Sequence, residues 1–388
     1  MDSMIPYGKQ DISQGDIDAV IDVLTSEFLT QGPKVPLFEK KIAQQCHAKH
    51  GVAVNSATSA LHIANLALGV CTNDIVWTSP ITFVATANSA LFCGAKISFV
   101  DIDLSTGNMC INSLEKKLIQ AKKNKCLPKV IIPVHLAGQS CDMRAIHALS
   151  IKYHFNIIED ASHAIGASYQ GKPVGNCQYS DITIFSFHPV KIITSAEGGV
   201  ATTNNLVLAQ KMRQLRSHGI VTDQESMTET SHGPWYYQQV ALGFNYRMTE
   251  LQAALGISQL TRLTSFIDKR NELANVYNKA FENTAIKPLI PQHTCMSSYH
   301  LYLVLIPTEK AKHHCKYIET LRAQQIFAHV HYIPVHMQPY YQALGFKTGD
   351  YPVAESYYQR VISLPLFPQL TPEQQQHIIK QIKLLVSI

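Results

Sequence analysis

The sequence lacks the cysteine spacing on which disulfide and zinc frameworks depend. It has nine cysteines, an odd number, and no Cys-X-X-Cys pair. Small secreted domains rely on paired cysteines, and structural zinc sites use closely spaced ones. We therefore expect free thiols and a reducing compartment, the cytoplasm.

Long apolar runs and concentrated charge are also missing. No uninterrupted apolar stretch is long enough to cross a bilayer, and residues 1–10 lack a basic segment followed by an apolar run. The net charge of +5 comes from scattered residues, and the short cluster Lys122, Lys123 and Lys125 has no interleaved aromatics. We expect neither a membrane anchor nor a nucleic-acid partner.

Two nucleotide-binding signatures are absent or incomplete. No G-X-G-X-X-G follows the predicted strand at 51–54, which argues against a nicotinamide dehydrogenase. Residues 166–172 fit G-X-X-X-X-G-K, but Pro173 follows and has no hydroxyl for Mg²⁺, so we expect no Walker site.

Three histidines near the C-terminus raise the question of a metal site. His329 and His331 would share one face of a strand, and His336 follows closely. Nearby Cys, Asp or Glu partners are lacking in the sequence, so we expect no metal.

Apolar material is plentiful, since 46% of the 388 residues are hydrophobic, enough for two or three domain cores. Short β-rich runs alternate with helical patterns. They cover residues 51–54, 75–78, 96–100, 130–134, 156–158, 182–187 and 200–203. This alternation predicts an α/β fold with a mainly parallel seven-stranded sheet between helices. In such sheets, ligands bind at the carboxyl ends of the strands.

Helical patterns flank the predicted sheet. Ile17, Val20, Ile21 and Leu24 have the spacing of an amphipathic helix that packs on the body. Further helices are predicted over residues 206–216, 249–269 and 372–386. A composition shift near 260–290 predicts a large domain of residues 1–260 and a smaller α+β domain of residues 261–388.

An acid and a lysine follow two of the predicted strands. Asp160 comes two residues after the run at 156–158, and Lys191 lies in the loop after the run at 182–187. This arrangement matches pyridoxal phosphate, whose pyridine nitrogen needs a carboxylate and whose aldehyde needs an amine. Ordinary structural roles for both residues stay an open alternative, because a strand-end Asp is often a helix cap and an isolated Lys is usually solvated.

Other residues fit the same cofactor. Ser56, Ala57 and Thr58 precede an apolar helical pattern, and the N-terminus of a helix favours an anion such as phosphate. An ordinary N-cap by Ser56 or Thr58 explains this segment equally well. Ser186 could add a hydroxyl to the phosphate, and Phe83 could stack on a flat ring or belong to the core.

Taken together, these motifs resemble the DegT-type sugar aminotransferases, a branch of the fold-type I pyridoxal-phosphate enzymes. The resemblance covers nearly the whole chain. The motifs are LTQGP at 29–33, NSATS at 55–59, EDASHA at 159–164, SFHPVK at 186–191, EGG at 197–199, RSHG at 216–219 and GFNYRMTE at 243–250. Seven motifs in the same order make the resemblance specific.

The resemblance implies a role for each matching residue. Lys191 would form the Schiff base, Asp160 would pair with the pyridine nitrogen, and His163 would bond the ring hydroxyl. Phe83 would stack on the ring. The residues that would hold the phosphate are Ala57, Thr58 and Ser186, and Ser56 would belong to the same cofactor site. Asn245 would reach in from a second subunit, which implies a homodimer with shared active sites.

Within the family, the chain is most similar to enzymes of pseudaminic acid biosynthesis. These aminate C4 of a UDP-linked 2-acetamido-4-keto-2,6-dideoxy sugar with L-glutamate, releasing 2-oxoglutarate. The implied sugar-nucleotide pocket also shares Ala57, Ser186 and Asn245 with the cofactor site. Its other residues are Tyr7, Glu27, Phe28, Leu29, Thr30, His329, Val330, His331 and Tyr332. At His329 the family pattern has Gln.

Three alternatives accompany this interpretation. A sugar 3-aminotransferase would use the same cofactor residues. The sugar dehydratases of this fold typically have His at the position of Lys191, so the lysine favours amino transfer. A non-enzymatic regulator of the same fold is disfavoured, because Asp160, His163, Ser186 and Lys191 are all present.

Overall fold

The computed structural model describes residues 4–387. Its strands are β1 (His50–Val54), β2 (Ile75–Thr78), β3 (Lys96–Phe99), β4 (Val130–Ile132), β5 (Asn156–Asp160), β6 (Ser168–Tyr169), β7 (Lys172–Pro173), β8 (Ile182–Ser186), β9 (Gly199–Thr203), β10 (Ile220–Val221), β11 (Gln238–Gln239), β12 (Lys287–Pro288), β13 (Cys295–Met296), β14 (Tyr302–Leu305) and β15 (Val361–Leu364). Its helices are α1 (Gln14–Leu24), α2 (Lys34–Cys46), α3 (Ala57–Ala67), α4 (Val84–Phe92), α5 (Ile111–Lys123), α6 (Met143–Tyr153), α7 (Leu206–Arg216), α8 (Glu250–Leu260), α9 (Leu263–Phe281), α10 (His314–Ala323), α11 (Pro339–Ala343), α12 (Pro352–Tyr358) and α13 (Pro372–Ser387).

The central sheet has seven strands in the order β1-β9-β8-β5-β4-β2-β3. The neighbours from β8 to β3 pair in parallel, whereas β9 runs antiparallel to both β1 and β8. The predicted fold class is therefore confirmed. Each of the seven predicted runs forms a strand of this sheet, with ends that differ by at most two residues.

Alternate side chains of these strands enter cores on opposite faces of the sheet. Ile182 and Ile184 of β8 pack with α3, α4 and α7, while Phe185 packs with α2 and α8. In β4, Ile131 packs with α5 and α6. This period of two follows from the pleat of a strand, and helices cover both faces.

The first helix forms as predicted, but its apolar face points the other way. Ile17, Ile21 and Leu24 are 44–57% exposed, whereas Asp16 is buried. The cause is a polar anchor, since the Asp16 carboxylate caps the helix with Ser13 and accepts a hydrogen bond from Gln259 at 2.7 Å. The prediction that the apolar residues pack on the body is wrong.

The predicted helix over 249–269 is two helices, α8 and α9. Between them, Arg262 leaves helical geometry and its guanidinium donates to the Asp11 carboxylate at 2.7 Å. After α9, the chain forms a three-stranded sheet in the order β12-β14-β15 with a core of its own. The domain boundary at residue 260 falls between the two helices and stays a prediction.

Two further features bear on the sequence predictions. Residues 166–172 lie in and before the antiparallel hairpin of β6 and β7, so the G-X-X-X-X-G-K sequence precedes no helix and forms no phosphate-binding loop. Within residues 4–387, no helix combines the length and apolar character required to span a bilayer.

Candidate active site

The Asp160 carboxylate lies at the carboxyl end of β5, buried and held by two neighbours. Thr86, on α4, donates its hydroxyl to Oδ2 at 2.7 Å. Ser162 donates its backbone N–H and its hydroxyl to Oδ1, at 3.1 and 2.6 Å. These bonds fix the carboxylate in one orientation at the strand ends, where open α/β sheets bind ligands.

Lys191 lies in the loop after β8, in a turn closed by its N–H donating to the His188 carbonyl at 2.9 Å. Burial lowers the pKa of Lys191 to about 8, while the attraction of Asp160 opposes this change. The structure therefore brings the amine and the carboxylate into one site. A lysine with this pKa has far more neutral, nucleophilic amine near neutral pH than a solvated one.

An anion site lies at the start of α3. Ser56 is the N-cap and accepts the Ser59 N–H at 3.1 Å, as the plain interpretation of this segment expects. The N–H groups of Ala57 and Thr58, in the first turn, have no partner further back in the helix. Ser186 pairs with Gly199 across the strands, and a Cβ on Gly199 would lie 2.6 Å from the Ala57 nitrogen.

Because residue 199 has no side chain, β9 can approach the start of α3, and Ser186 lies opposite Gly199 on the neighbouring strand β8. The first-turn N–H groups of α3 lie there, at the positive end of the helix dipole. This is the geometry that binds a phosphate group.

Asn245 lies beside the same turn of its own chain. The Tyr246 carbonyl accepts the Asn55 N–H at 2.9 Å, and the Asn245 carbonyl accepts from the Asn55 amide at 3.5 Å. The Asn245 side chain is exposed. Its entry into the site of a second subunit stays a prediction.

His163 is buried in a single tautomer. Its Nδ1 accepts the Ala137 N–H at 3.2 Å, so the proton of the neutral ring is on Nε2, which faces the Tyr332 hydroxyl at 3.0 Å. Burial holds the pKa of His163 well below its usual value, and the charges of Lys191 and His331 add to the effect. His163 is therefore a neutral hydrogen-bond donor.

Aromatic rings form one wall beside His163. Phe83 is 60% exposed and is not a core residue; its ring lies 6.4 Å from that of Tyr332. Tyr7 contacts His329 and His331, with ring centroids 5.4 and 5.2 Å apart. Val330 lies between these two histidines in the chain.

The N-terminal segment reaches the lysine loop as well. A Cβ on Gly8 would be 3.9 Å from the Val190 Cβ, so the residue after Tyr7 lies next to the residue before Lys191. Burial raises the pKa of Tyr7 and lowers the pKa of His331 to about 3, where His329 and Lys191 contribute. Tyr7 and His331 are therefore neutral near pH 7.

Four of the predicted pocket residues are exposed and adjoin the start of α8. Glu27, Phe28, Leu29 and Thr30 are exposed, and the Leu29 carbonyl accepts the N–H of Glu250 at the start of α8. Within the part of the chain that the structure describes, no hydrogen bond joins them to the cluster around Lys191. Their role in a pocket stays a prediction.

The C-terminal histidines have protein partners. His331 Nδ1 is 2.8 Å from the Ser363 hydroxyl, and His336 Nε2 is 2.9 Å from the Glu355 carboxylate. The sequence reasoning found no acidic residue near His336, because Glu355 comes close only through the packing of α12. Within residues 4–387, no group of three potential ligands is placed to hold a metal.

Sequence reasoning missed Thr86, Gly199 and His300. Thr86 lies one turn after Phe83 on α4, a segment already singled out, so its hydroxyl could have been considered. Gly199 belongs to a recognised motif, but its contact with α3 depends on the pairing of β8 with β9. His300 is 4% exposed, and its ring lies 4.4 Å from that of His163.

The fold and the site define a class of protein. A mainly parallel sheet, a partly buried lysine beside a strand-end carboxylate and an anion site at a helix N-terminus are what a fold-type I pyridoxal-phosphate enzyme requires. The residues fit the cofactor on their chemistry, since an amine, a carboxylate and a ring-hydroxyl donor lie at the carboxyl ends of β5 and β8, and a phosphate site lies at the start of α3.

Comparisons with known proteins identify the family. The profile of the DegT/DnrJ/EryC1/StrS aminotransferase family matches residues 10–383, and the chain belongs to this family. It is 40% identical over 370 residues to the UDP-4-amino-4,6-dideoxy-N-acetyl-beta-L-altrosamine transaminase of Campylobacter jejuni, covering 95% of this chain and 93% of that protein.

Solved structures of similar proteins support the same family assignment. Helicobacter pylori PseC, an aminotransferase involved in the biosynthesis of pseudoaminic acid, superposes with a TM-score of 0.91 at 33% identity, covering 99% of this chain and all of the other. The putative sugar aminotransferase Spr1654 of Streptococcus pneumoniae in its pyridoxal-phosphate form gives 0.89 at 30% identity, with 99% of both chains covered. The protein is a sugar aminotransferase, and pyridoxal phosphate is its cofactor.

Proposed function

We propose that this enzyme transfers the amino group of L-glutamate to C4 of a UDP-linked 2-acetamido-4-keto-2,6-dideoxy sugar in pseudaminic acid-type biosynthesis. The product would be UDP-4-amino-4,6-dideoxy-N-acetyl-β-L-altrosamine. The observation that carries amino transfer is the common site of Lys191 and Asp160 beside the anion site of α3. The choice of sugar is supported by the similarity to the Campylobacter transaminase and to PseC.

Three residues act on the cofactor's ring and aldehyde in the proposed mechanism, and Lys191 has two tasks. Bound pyridoxal phosphate supplies an electron-accepting ring that stabilises the donor carbon once its proton is removed. Lys191 holds the cofactor covalently and, when freed by the donor, carries that proton as a general base and acid. Asp160 keeps the pyridine nitrogen protonated, which strengthens the ring as an electron acceptor. His163 would share its Nε2–H between the Tyr332 hydroxyl, 3.0 Å away, and the ring hydroxyl.

The other cofactor residues anchor and orient. The N–H groups of Ala57 and Thr58 bind the phosphate together with the Ser186 hydroxyl, and Ser56 holds the helix end that presents them. Phe83 covers one face of the ring. We assign Asn245 to the site of a second subunit, so the functional unit is a homodimer with shared active sites.

The sugar nucleotide would lie against the wall of Tyr7, His329, His331 and Tyr332. These rings can stack on a sugar face, while their polar atoms bond its hydroxyls. We extend the pocket to Val330, Ala57, Ser186, Asn245 and residues 27–30 on the family resemblance. The cysteine usage supports a cytoplasmic location.

A panel of substrates tests the proposal. The enzyme is incubated with L-glutamate and with UDP- or dTDP-linked 4-keto and 3-keto sugars, and 2-oxoglutarate release is followed. We expect turnover with the UDP-linked 4-keto-6-deoxy acetamido sugar and none for Lys191→Ala. Activity on 3-keto sugars alone would contradict the proposal and would indicate a sugar 3-aminotransferase.

The same panel separates the remaining alternatives. Loss of a hydroxyl from the sugar without consumption of glutamate would indicate a dehydratase. Other amino acids in place of glutamate test the donor. A Lys191→Ala protein that transaminates at the wild-type rate would overturn the role of the lysine and with it the mechanism.

A further inference from the structure

His300 lies in the site but has no task in the mechanism above. It is 4% exposed, and within residues 4–387 its Nδ1 is buried without a hydrogen-bond partner. A buried polar atom without a partner destabilises a fold, so its presence needs an explanation. The ring of His300 lies 4.4 Å from the ring of His163 at an angle of 46°.

A buried arginine holds His300 in place. Arg270 of α9 is 1% exposed, and its Nη1 donates to the carbonyl oxygens of Tyr299, His300 and Leu366 at 3.2, 3.2 and 2.9 Å. We call these three hydrogen bonds the Arg270 clasp. The backbone of His300 is therefore fixed from the C-terminal part of the chain.

The same part of the chain contacts His163 at three points. The Ser298 hydroxyl donates to the His163 carbonyl at 2.8 Å, Tyr332 faces Nε2, and His300 packs on the ring. The two ring nitrogens are held by hydrogen bonds, whereas the ring face is supported by His300. Without that support, the imidazole has room to tilt and Nε2 moves with it.

The contact joins two uncharged rings. Burial holds the pKa of His300 well below its usual value, and the positive charges of Lys191 and Arg270 act in the same direction. Protonation of either ring would place a positive charge beside Lys191. Packing, and not ion pairing, is thus the means by which His300 can act.

We propose that His300 is a positioning residue that braces the His163 ring, so that Nε2 stays aligned with the cofactor's ring hydroxyl. The proposal rests on the role proposed for His163. Through the Arg270 clasp, the brace makes the hydrogen bond at the cofactor depend on how the C-terminal part of the chain is arranged. Since misplacement by about 1 Å can cost a hundredfold in rate, a loose His163 is a measurable defect.

Two variants test the brace. His300→Ala removes the ring, and His300→Phe keeps a ring of similar size while it removes the unpartnered nitrogen. For His300→Ala we expect the pH midpoint of the bound cofactor's absorbance to move by about one unit and kcat to fall about tenfold or more with little change in KM. His300→Phe should keep the wild-type midpoint, and its cofactor-free form should melt no lower than the wild type.

The pH midpoints of the two variants decide whether the brace exists. If His300→Ala keeps the wild-type midpoint, the brace does not exist. If both variants move the midpoint equally, a nitrogen of His300 acts directly and the proposal is wrong. His314→Ala is the control, because His314 is a partly buried histidine bonded to the Val361 carbonyl at 2.7 Å and should leave the midpoint unchanged.

His163→Phe separates this inference from the proposed function. If His163→Phe moves the midpoint and His300→Ala does not, the role of His163 stands and only the proposed brace is wrong. If it leaves the midpoint unchanged, the role of His163 and the brace fall together. The absorbance is read without any sugar, so a wrong choice of sugar leaves this test intact.

Discussion

Burial and a neighbouring carboxylate act in opposite directions on the amine of Lys191. Desolvation disfavours the ammonium form, while Asp160 favours it, and burial has the larger effect. The amine must be neutral to attack an aldehyde, so the pKa sets the pH at which the cofactor can be attached.

The rate of cofactor loading should therefore depend on pH with a midpoint near that pKa. We expect the cofactor-free protein to combine with pyridoxal phosphate faster as pH rises, levelling off above about 8, the pKa of Lys191. The sign follows because deprotonation creates the nucleophile. Stopped-flow absorbance measures this rate over roughly pH 6 to 10, a range that brackets the pKa of Lys191. A midpoint near that of free lysine would contradict the burial of this amine.

The hydroxyl of Thr86 is the side-chain donor to Oδ2 of Asp160. Thr86→Val removes a buried hydrogen bond to a carboxylate, together with the 2.7 Å hydroxyl contact to Thr82, which should lower the free energy of unfolding of the cofactor-free protein by about 1.5–3 kcal/mol. Urea denaturation measures this loss.

Thr78→Val is the matched control for Thr86→Val. Its buried hydroxyl donates to the neutral Ile132 carbonyl at 2.7 Å, so the same substitution should cost only about 0.5–1.5 kcal/mol. Equal losses at the two positions would mean that the carboxylate bond is not special.

At the scale of elements, the anion site depends on the approach of β9 to the N-terminus of α3. Gly199 of β9 leaves no space for a side chain there, since a Cβ would also lie 2.6 Å from the Ser56 carbonyl oxygen. The atoms that this Cβ would meet belong to the backbone of Ser56 and Ala57, and backbone atoms cannot move aside at low cost.

Gly199→Ala should therefore weaken binding of the phosphate group. We expect the affinity for pyridoxal phosphate to fall about tenfold or more, while the much weaker binding of pyridoxal, which has no phosphate, changes little. Equilibrium dialysis of both compounds measures the difference. Gly15→Ala, which meets only contacts of 3.8 Å or more, should bind as the wild type does. A parallel loss for both compounds would argue against a phosphate contact.

Element types were predictable from the sequence because they follow local periodicity. The seven strands of the sheet and the helices α7 and α13 lie where the patterns place them. The orientation of α1 was not predictable from its apolar stripe, since Asp16 is held by Gln259, 243 residues away. The same kind of distant contact, between Arg262 and Asp11, divides the helix predicted over 249–269.

At the scale of the whole molecule, the proposed homodimer determines where Asn245 acts. Its exposed side chain lies at the surface of its own chain, beside the turn that precedes α3. If Asn245 serves the site of a second subunit, defects in Lys191 and Asn245 belong to different sites of one dimer.

A mixture of two inactive variants should then regain activity. When Lys191→Ala and Asn245→Ala chains are unfolded and refolded together, half the dimers are mixed, and each has one intact site. We expect roughly a quarter of the wild-type activity from this symmetry argument. Analytical ultracentrifugation checks that the particles are dimers. A mixture as inactive as its components would place Asn245 in the site of its own chain.

The sequence alone determined the fold class, because strand periodicity is a local property of the chain, and its motifs indicated the family. It also proposed Lys191 and Asp160 as the amine and the acid. Only the tertiary structure decided that Thr86 holds Asp160, that Gly199 admits Ser186 to the end of α3, and that His300 packs on His163. These three contacts join residues far apart in sequence, and they exist only when the sheet, α4 and the C-terminal part of the chain have packed together. Side-chain burial, which sets the pKa of Lys191, likewise arises from that packing.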